Sequence, residues 1–199
     1  EVRAELIDRL QYVQLKPRVI VDAGCGTGHA CRALLKRYGG SSVIGLDLSE
    51  GMLREARGRR PLLRRLDPVC ADAAALPLAD DSVDLIFSNL MLQWCNDPDA
   101  VFGEFRRVLK PGGKVLILEF SQPSRAIKPA YDLYSFKVLP ALGKFVAQDA
   151  DSYKYLAESI RMHPDQETLL GMMEAAGFER CRYQNLAGGI VALHIGYRI

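Results

Sequence analysis

Apolar and polar positions along the chain alternate between two periods. Leu6, Leu10 and Val13 recur at helical spacing and predict an amphipathic opening helix. After Pro17 the run Arg18-Val-Ile-Val-Asp22 predicts a strand buried on both faces, as in a parallel sheet. Helical spacing returns from Gly28 to Tyr38, with Ala30, Leu34 and Leu35 inward, and Ser42-Val-Ile-Gly-Leu-Asp47 is the next strand. Ser49 predicts an N-cap for a helix carrying Met52, Leu53 and Ala56. Short strands are expected near Pro68 to Ala71 and Val83 to Ser88. Asp97 and Pro98 open a helix ending near Leu109, and Pro111-Gly112-Gly113 breaks it before a strand from Lys114 to Phe120.

The periodicity changes after Phe120. Residues 121 to 165 are rich in aromatics, among them Tyr131, Tyr134, Phe136, Phe145, Tyr153 and Tyr155, and are expected to form a mostly helical insertion that covers substrate. A last helix from about Gln166 to Ala176 stops at Gly177. Two closing strands, Arg180 to Leu186 and Ile190 to Tyr197, meet at Gly188-Gly189 as a hairpin. Strands alternating with helices imply right-handed crossovers and a doubly wound α/β sheet covered on both faces. At 199 residues, one domain with one core is expected.

Composition narrows the function classes. A hydrophobic share of 49%, a charged share of 25% and a net charge of +2 describe a soluble enzyme, with too little basic excess for nucleic acid. Arg57, Arg59, Arg60, Arg64 and Arg65 form a local cluster, read as a solvated helix end and loop; an acidic carrier protein is the partner it would otherwise suit. Five scattered cysteines without C-x-x-C spacing point to a reduced, cytoplasmic compartment and to no metal site. No apolar run approaches the ~20 residues that span a bilayer, and the first residues do not read as a signal peptide, so membrane contact is expected to be peripheral at most.

The chemistry begins where the first strand runs into Asp22-Ala-Gly24-Cys-Gly26-Thr-Gly28. A glycine-rich turn at the carboxyl end of a central strand is where ligands of doubly wound sheets bind, and glycines let a ligand approach the backbone. The spacing G-x-G-x-G puts His29 where a dinucleotide fingerprint needs its third glycine, and Asp22 is an acid able to organise a cationic, amino-acid-bearing ligand. Both features favour S-adenosylmethionine over NAD. Asp47, at the end of the second strand, is placed to accept hydrogen bonds from both ribose hydroxyls. Asp72-Ala73 follows the third strand, where a carboxylate can accept from an adenine amino group, and Asn89 ends the fourth. The candidate cofactor set is Asp22, Gly24, Gly26, Thr27, Gly28, Asp47, Leu48, Met52, Asp72, Ala73 and Asn89.

These residues, with Leu76-Pro77, Asp84 and Leu109-Lys-Pro-Gly-Gly113, resemble the class I methyltransferases. The resemblance implies their Rossmann-like, seven-stranded, mostly parallel sheet with an antiparallel strand in its C-terminal hairpin. Two families are resembled more closely. Residues 1 to 117, with Gly45-Leu-Asp-Leu-Ser-Glu-Gly-Met-Leu53 and Leu92-Gln-Trp94, are similar to malonyl-acyl-carrier-protein O-methyltransferases of biotin synthesis. From Leu118, the stretches Leu118-Glu-Phe-Ser-Gln-Pro123, Tyr131-Asp-Leu-Tyr-Ser-Phe136, 151 to 166 and Gly188-Gly-Ile-Val-Ala-Leu-His194 resemble the ubiquinone/menaquinone C-methyltransferases. The division implies a recombined or designed chain.

The longer resemblance implies methylation of a polyprenyl benzoquinol or naphthoquinol ring carbon, a small-molecule lipid substrate. A ring carbon becomes nucleophilic once a hydroxyl is deprotonated, so a base and a phenolate-stabilising cation are wanted. Arg161, His163, Asp165 and Tyr153 are the catalytic candidates, and Arg161 is favoured because Ile160 and Met162 beside it are apolar. Asp165 could instead cap the helix that follows, and His163 could simply pack. Where the quinone family carries Arg-Asn this chain has Gln93-Trp94, and the resemblance leads to the expectation that the family's segment closing over the cofactor ahead of the first strand is missing. The alternatives are a malonyl thioester on an acyl carrier protein, whose carboxylate needs only an arginine, or a cofactor-binding protein without turnover. His194 is expected to be a structural histidine.

Overall fold

The computed structural model describes residues 16–59, 65–123 and 163–199. The expected opening helix, most of the aromatic insertion, and Arg60 and Arg64 of the basic cluster lie outside the described residues. Strands β1 (Val19–Ala23), β2 (Ser42–Asp47), β3 (Leu66–Cys70), β4 (Val83–Asn89), β5 (Leu109–Phe120), β6 (Glu179–Leu186) and β7 (Val191–Tyr197) form a seven-stranded sheet in the order β3-β2-β1-β4-β5-β7-β6. The first five in that order are parallel, and β7 runs antiparallel to both β5 and β6. Helices α1 (His29–Arg37), α2 (Glu50–Gly58), α3 (Pro98–Val108) and α4 (Gln166–Ala175) complete the described elements, with short 3-10 turns at Leu92–Trp94 and Ala187–Gly189.

Strand alternation divides the core into two layers. Ile20, Leu85 and Phe87 face Leu34, Leu35 and Leu53 of α1 and α2, whereas Val21 and Ile86 face Phe102, Phe105 and Met173 of α3 and α4. Each large side chain so buried contributes about 1.5–3 kcal/mol. The order reverses between β1 and β4, and the carboxyl ends of these two strands open the crevice at that switch point.

Local signals placed the helices closely. Ser49 caps α2 by accepting from Met52 N (3.4 Å), and Asp97 caps α3 by accepting from Ala100 N (3.0 Å), with Pro98 at the first turn. The Pro111-Gly-Gly stretch differs from expectation. Extended backbone begins at Leu109, which pairs with Val83, and a register shift follows before Lys114 pairs with Leu85. The triplet is therefore a bulge within the strand. The closing hairpin likewise turns through Ala187, Gly188 and Gly189, all at positive φ.

Asp84 ties the amino end of β1 to β4. Its carboxylate accepts from Arg18 N and Val19 N (both 2.8 Å) and from Lys110 Nζ (2.9 Å). Burial opposes its ionisation, but the Lys110 ammonium and the two amides outweigh it and hold the carboxyl below its ordinary value. Asp84→Ala should cost about 2 kcal/mol, read as a lower urea midpoint. Because the folded value is depressed, this contribution is present above the ordinary carboxylate range and is lost as pH falls through the folded value.

Candidate active site

The glycine turn is tied to the end of β2 by its own backbone. Gly24 N and Cys25 N both donate to Leu46 O (2.8 and 2.9 Å), and Gly26 N donates to Asp47 Oδ2 (2.8 Å). Asp47 Oδ1 accepts from Ser49 N (2.9 Å), so one carboxylate joins the glycine turn to the start of α2. On the far side, Arg59 Nη1 donates to Thr27 O (2.8 Å) while pairing with Glu55 (3.4 Å). This member of the basic cluster is a brace for the loop.

Two adjoining cavities open above the strand ends. The larger, about 480 Å³, is lined by Asp47, Leu48, Met52, Asp72, Ala73, Met91 and Trp94, among others. The smaller, about 250 Å³, is lined by Asp22, Thr27, His29 and Asn89 with their neighbours. Gly24, Gly26 and Leu90 line both, so the two are lobes of one crevice. The structure thus brings together ten of the eleven residues expected to hold cofactor. Gly28 is the exception: a Cβ there would meet Ala56 Cβ at 2.9 Å, and the residue sits at φ +79° just before α1. It permits α1 to pack on α2.

Gly24 also departs from the simple reading, because a Cβ there would strike the Met91 side chain at 2.4 Å. A Cβ on Gly26 would meet nothing within 4 Å. Of the three, Gly26 is the glycine whose bare face opens to the crevice.

The lobes differ in chemistry. Asp22 is buried, and its Oδ2 accepts from Cys31 Sγ at 2.9 Å. The hydrogen bond from Cys25, burial, and Asp22 together push the Cys31 thiol far up, so it remains a neutral donor. Asp72 is exposed, with Oδ1 accepting from Ala74 N (2.9 Å). Leu48 and Trp94 are 74% and 56% exposed, so the rim of the larger lobe carries exposed apolar side chains beside the polar Ser49, Asp72, Asn96 and Asp97.

The Leu90–Leu92 wall of the crevice is held by a residue that sequence reasoning missed. Glu119 on β5 is fully buried, and its Oε1 accepts from both Met91 N and Leu92 N at 2.7 Å. Burial pushes its carboxyl up to about 7 against the pull of these amides. The available signal was an acid inside the apolar run Val115 to Phe120. His163 is buried beside it, with Nε2 3.9 Å from Glu119 Oε2, and burial, aided by His194, pushes the imidazole down to about 4. His163 does not line the crevice. Asp165 Oδ1 accepts from Thr168 N (2.8 Å) as the cap of α4. His194 is buried and bonds Gln166 O through Nε2 (2.9 Å), a packing role. Arg161 and Tyr153 lie outside the described residues. Among the described residues no cluster of three or more metal-ligating side chains is present.

The model of the ubiE/COQ5 methyltransferase family matches residues 4–198. The chain belongs to that family. It is 50% identical over 186 residues to the ubiquinone/menaquinone biosynthesis C-methyltransferase UbiE of Acidiphilium cryptum, covering 92% of this chain and 74% of the relative. The UbiE of Xanthomonas oryzae pv. oryzae is 50% identical over 194 residues, covering 94% and 76%. Among solved structures, Haemonchus contortus phosphoethanolamine N-methyltransferase 2 in complex with S-adenosyl-L-methionine superposes with TM-score 0.73 at 18% identity, covering 99% of this chain and 52% of the other. A SAM-dependent methyltransferase from Aquifex aeolicus gives 0.71 at 19%, covering 99% and 93%. These two establish a shared fold. The ubiE/COQ5 match crosses residue 117 unbroken, so the two ancestries expected from the divided resemblance find no support. No described helix of this methyltransferase is long and apolar enough to cross a membrane.

Proposed function

We propose that the chain methylates a ring carbon of a polyprenyl benzoquinol or naphthoquinol in ubiquinone and menaquinone biosynthesis, using S-adenosylmethionine. The observation that carries this reading is the 50% identity to a quinone C-methyltransferase over 92% of the chain, a span that includes the acceptor-side segment 121–165. The crevice suits the donor. Its larger lobe offers carboxylates at the ends of two strands, exposed apolar side chains at its rim and the bare face of Gly26; its smaller lobe offers a buried acid.

S-adenosylmethionine, when bound, supplies a methyl group carried on a positively charged sulfur. Asp47 would accept from the ribose hydroxyls and Asp72 from the adenine amino group, while Leu48, Met52 and Ala73 give adenine an apolar bed. Asp22, with Thr27 and Asn89, would hold the amino-acid end. Met91 and Trp94, which line the larger lobe, would shield the bound methyl group from water once the acceptor ring covers them, which favours a reaction that disperses charge. Positioning supplies most of the acceleration. Arg161 is the proposed stabiliser of the ring oxygen, with Tyr153 a second candidate from the same segment of sequence, and the exposed Leu48 and Trp94 suit a prenylated substrate reached from a membrane surface by a cytoplasmic enzyme. Asp165 caps α4 and His163 lies beside Glu119, so neither is given a direct part in the chemistry.

Incubation with methyl-labelled S-adenosylmethionine and either a demethylated prenyl quinol or a malonyl-acyl carrier protein tests the reading. Label is expected on the quinol. Label on the thioester alone would overturn the assignment, and binding without transfer to either would make the chain a non-catalytic binder.

A further inference from the structure

The carboxylate of Glu119 stands out among the buried titratable groups because the donor site does not use it directly, yet it organises one wall of that site. Leu90, which lines both lobes, has φ +55°, a left-handed conformation uncommon for a leucine. Met91 follows at φ −109°, ψ −39°. Left-handed then right-handed backbone turns successive amides inward as an anion nest. Glu119 Oε1 occupies that nest, accepting from Met91 N and Leu92 N. A strained backbone persists only where its surroundings over-determine it. Here Leu90 N donating to Leu118 O (2.8 Å) and the Glu119 oxygen do so.

The other oxygen faces the other side. Glu119 Oε2 and His163 Nε2 are 3.9 Å apart, both are buried, and neither has a hydrogen-bond partner among the described residues. Two buried polar atoms that face each other, with no other partner among the described residues, are costly apart and compatible together. One proton suffices for a hydrogen bond between them, as Oε2–H to imidazole or as imidazolium to carboxylate. His194 also acts on His163, and Cys95 lies within reach of the Glu119 charge.

We propose that Glu119 is a positioning residue for the methyl-donor site, its Oε1 fixing the Leu90–Leu92 wall of the crevice and its Oε2 held by His163, so that the two side chains act as one unit. The inference rests on reading the crevice as the S-adenosylmethionine site. Glu119→Gln preserves both functions, because its amide oxygen accepts from the nest while its NH₂ donates to His163. Glu119→Ala removes both.

The test measures S-adenosylmethionine affinity and KM against kcat for wild type, E119A, E119Q, H163A and the E119A/H163A double variant. E119A should weaken affinity at least ten-fold, chiefly in KM for the donor, and E119Q should recover it to within about three-fold of wild type. H163A should weaken affinity less than E119A, and the double variant should be no worse than E119A alone. Leu90→Gly should partly restore E119A, since glycine takes the left-handed conformation without strain. Equal losses in E119Q and E119A, or additive losses in the double variant, would overturn the unit. Hydrogen exchange at the Met91 and Leu92 amides provides a readout independent of cofactor. Protection should fall in E119A and persist in E119Q, even if wild type binds no S-adenosylmethionine and the functional reading fails. Unchanged protection in E119A overturns the positioning role, and if E119A does not fold, faster exchange at these amides in H163A is the required result and unaltered exchange the refuting one.

Discussion

Asp47→Ala should weaken S-adenosylmethionine binding by about a hundred-fold or more. Two charge-assisted hydrogen bonds to a ribose are worth about 1.5–3 kcal/mol each, and each 1.4 kcal/mol is about ten-fold in affinity. The same carboxylate holds Gly26 N and Ser49 N, so its removal also frees the glycine turn from the start of α2. Asp47→Asn, which keeps an acceptor for one of these amides, should fall between. Titration can be followed through Trp94, the chain's single tryptophan, which lines the same lobe. A parallel urea midpoint separates loss of contacts from loss of loop order. Unchanged affinity in Asp47→Ala would refute the ribose assignment.

The second large effect is on stability. Gly24→Ala should destabilise the fold by about 2–5 kcal/mol: a left-handed conformation costs a residue with a Cβ about 1–2 kcal/mol, and overpacking costs about 1–3 more. The residue sits at φ +72°, and its new methyl would strike Met91 at Cγ and at Cβ (2.4 and 2.6 Å), near the backbone where the side chain cannot swing aside. Gly26→Ala is the contrasting variant. At φ +53° with nothing within 4 Å, it should lose only about 1–2 kcal/mol of stability but place a methyl in the crevice and weaken donor binding. Urea midpoints and donor affinities for the pair should therefore rank in opposite order. If Gly24→Ala unfolds no earlier than wild type, Met91 is not fixed against the glycine turn.

Local chemistry made much of the site legible. The ends of β1 and β2 can be read because a parallel strand is an apolar run and an acid stands at its carboxyl end, as Asp22 and Asp47 do. The caps Ser49 and Asp97 can be read because their partners lie three residues away. Asp165 admitted two readings from sequence, and its bond to Thr168 N accounts for it as a cap. What failed to show were contacts between residues far apart in the chain. Gly28 and Gly24 look like ligand-facing glycines, and only their neighbours Ala56 and Met91 reveal packing. Arg59 looked like part of a solvated charge cluster until its bond to Thr27 O placed it under the loop.

The sequence by itself determined the alternation of strands and helices, the position of the glycine turn and the acids at the ends of β1 and β2 and after β3, because these depend on periodicity and on neighbours a few residues apart. Tertiary structure decided the rest: which glycine faces the crevice, that the crevice has two lobes meeting at Gly24, Gly26 and Leu90, and that Glu119 on β5 reaches the Leu90–Leu92 turn beyond β4. The physical reason is the same in each case. Hydrogen bonding and packing across a sheet join residues separated by tens of positions, and no local pattern encodes that separation.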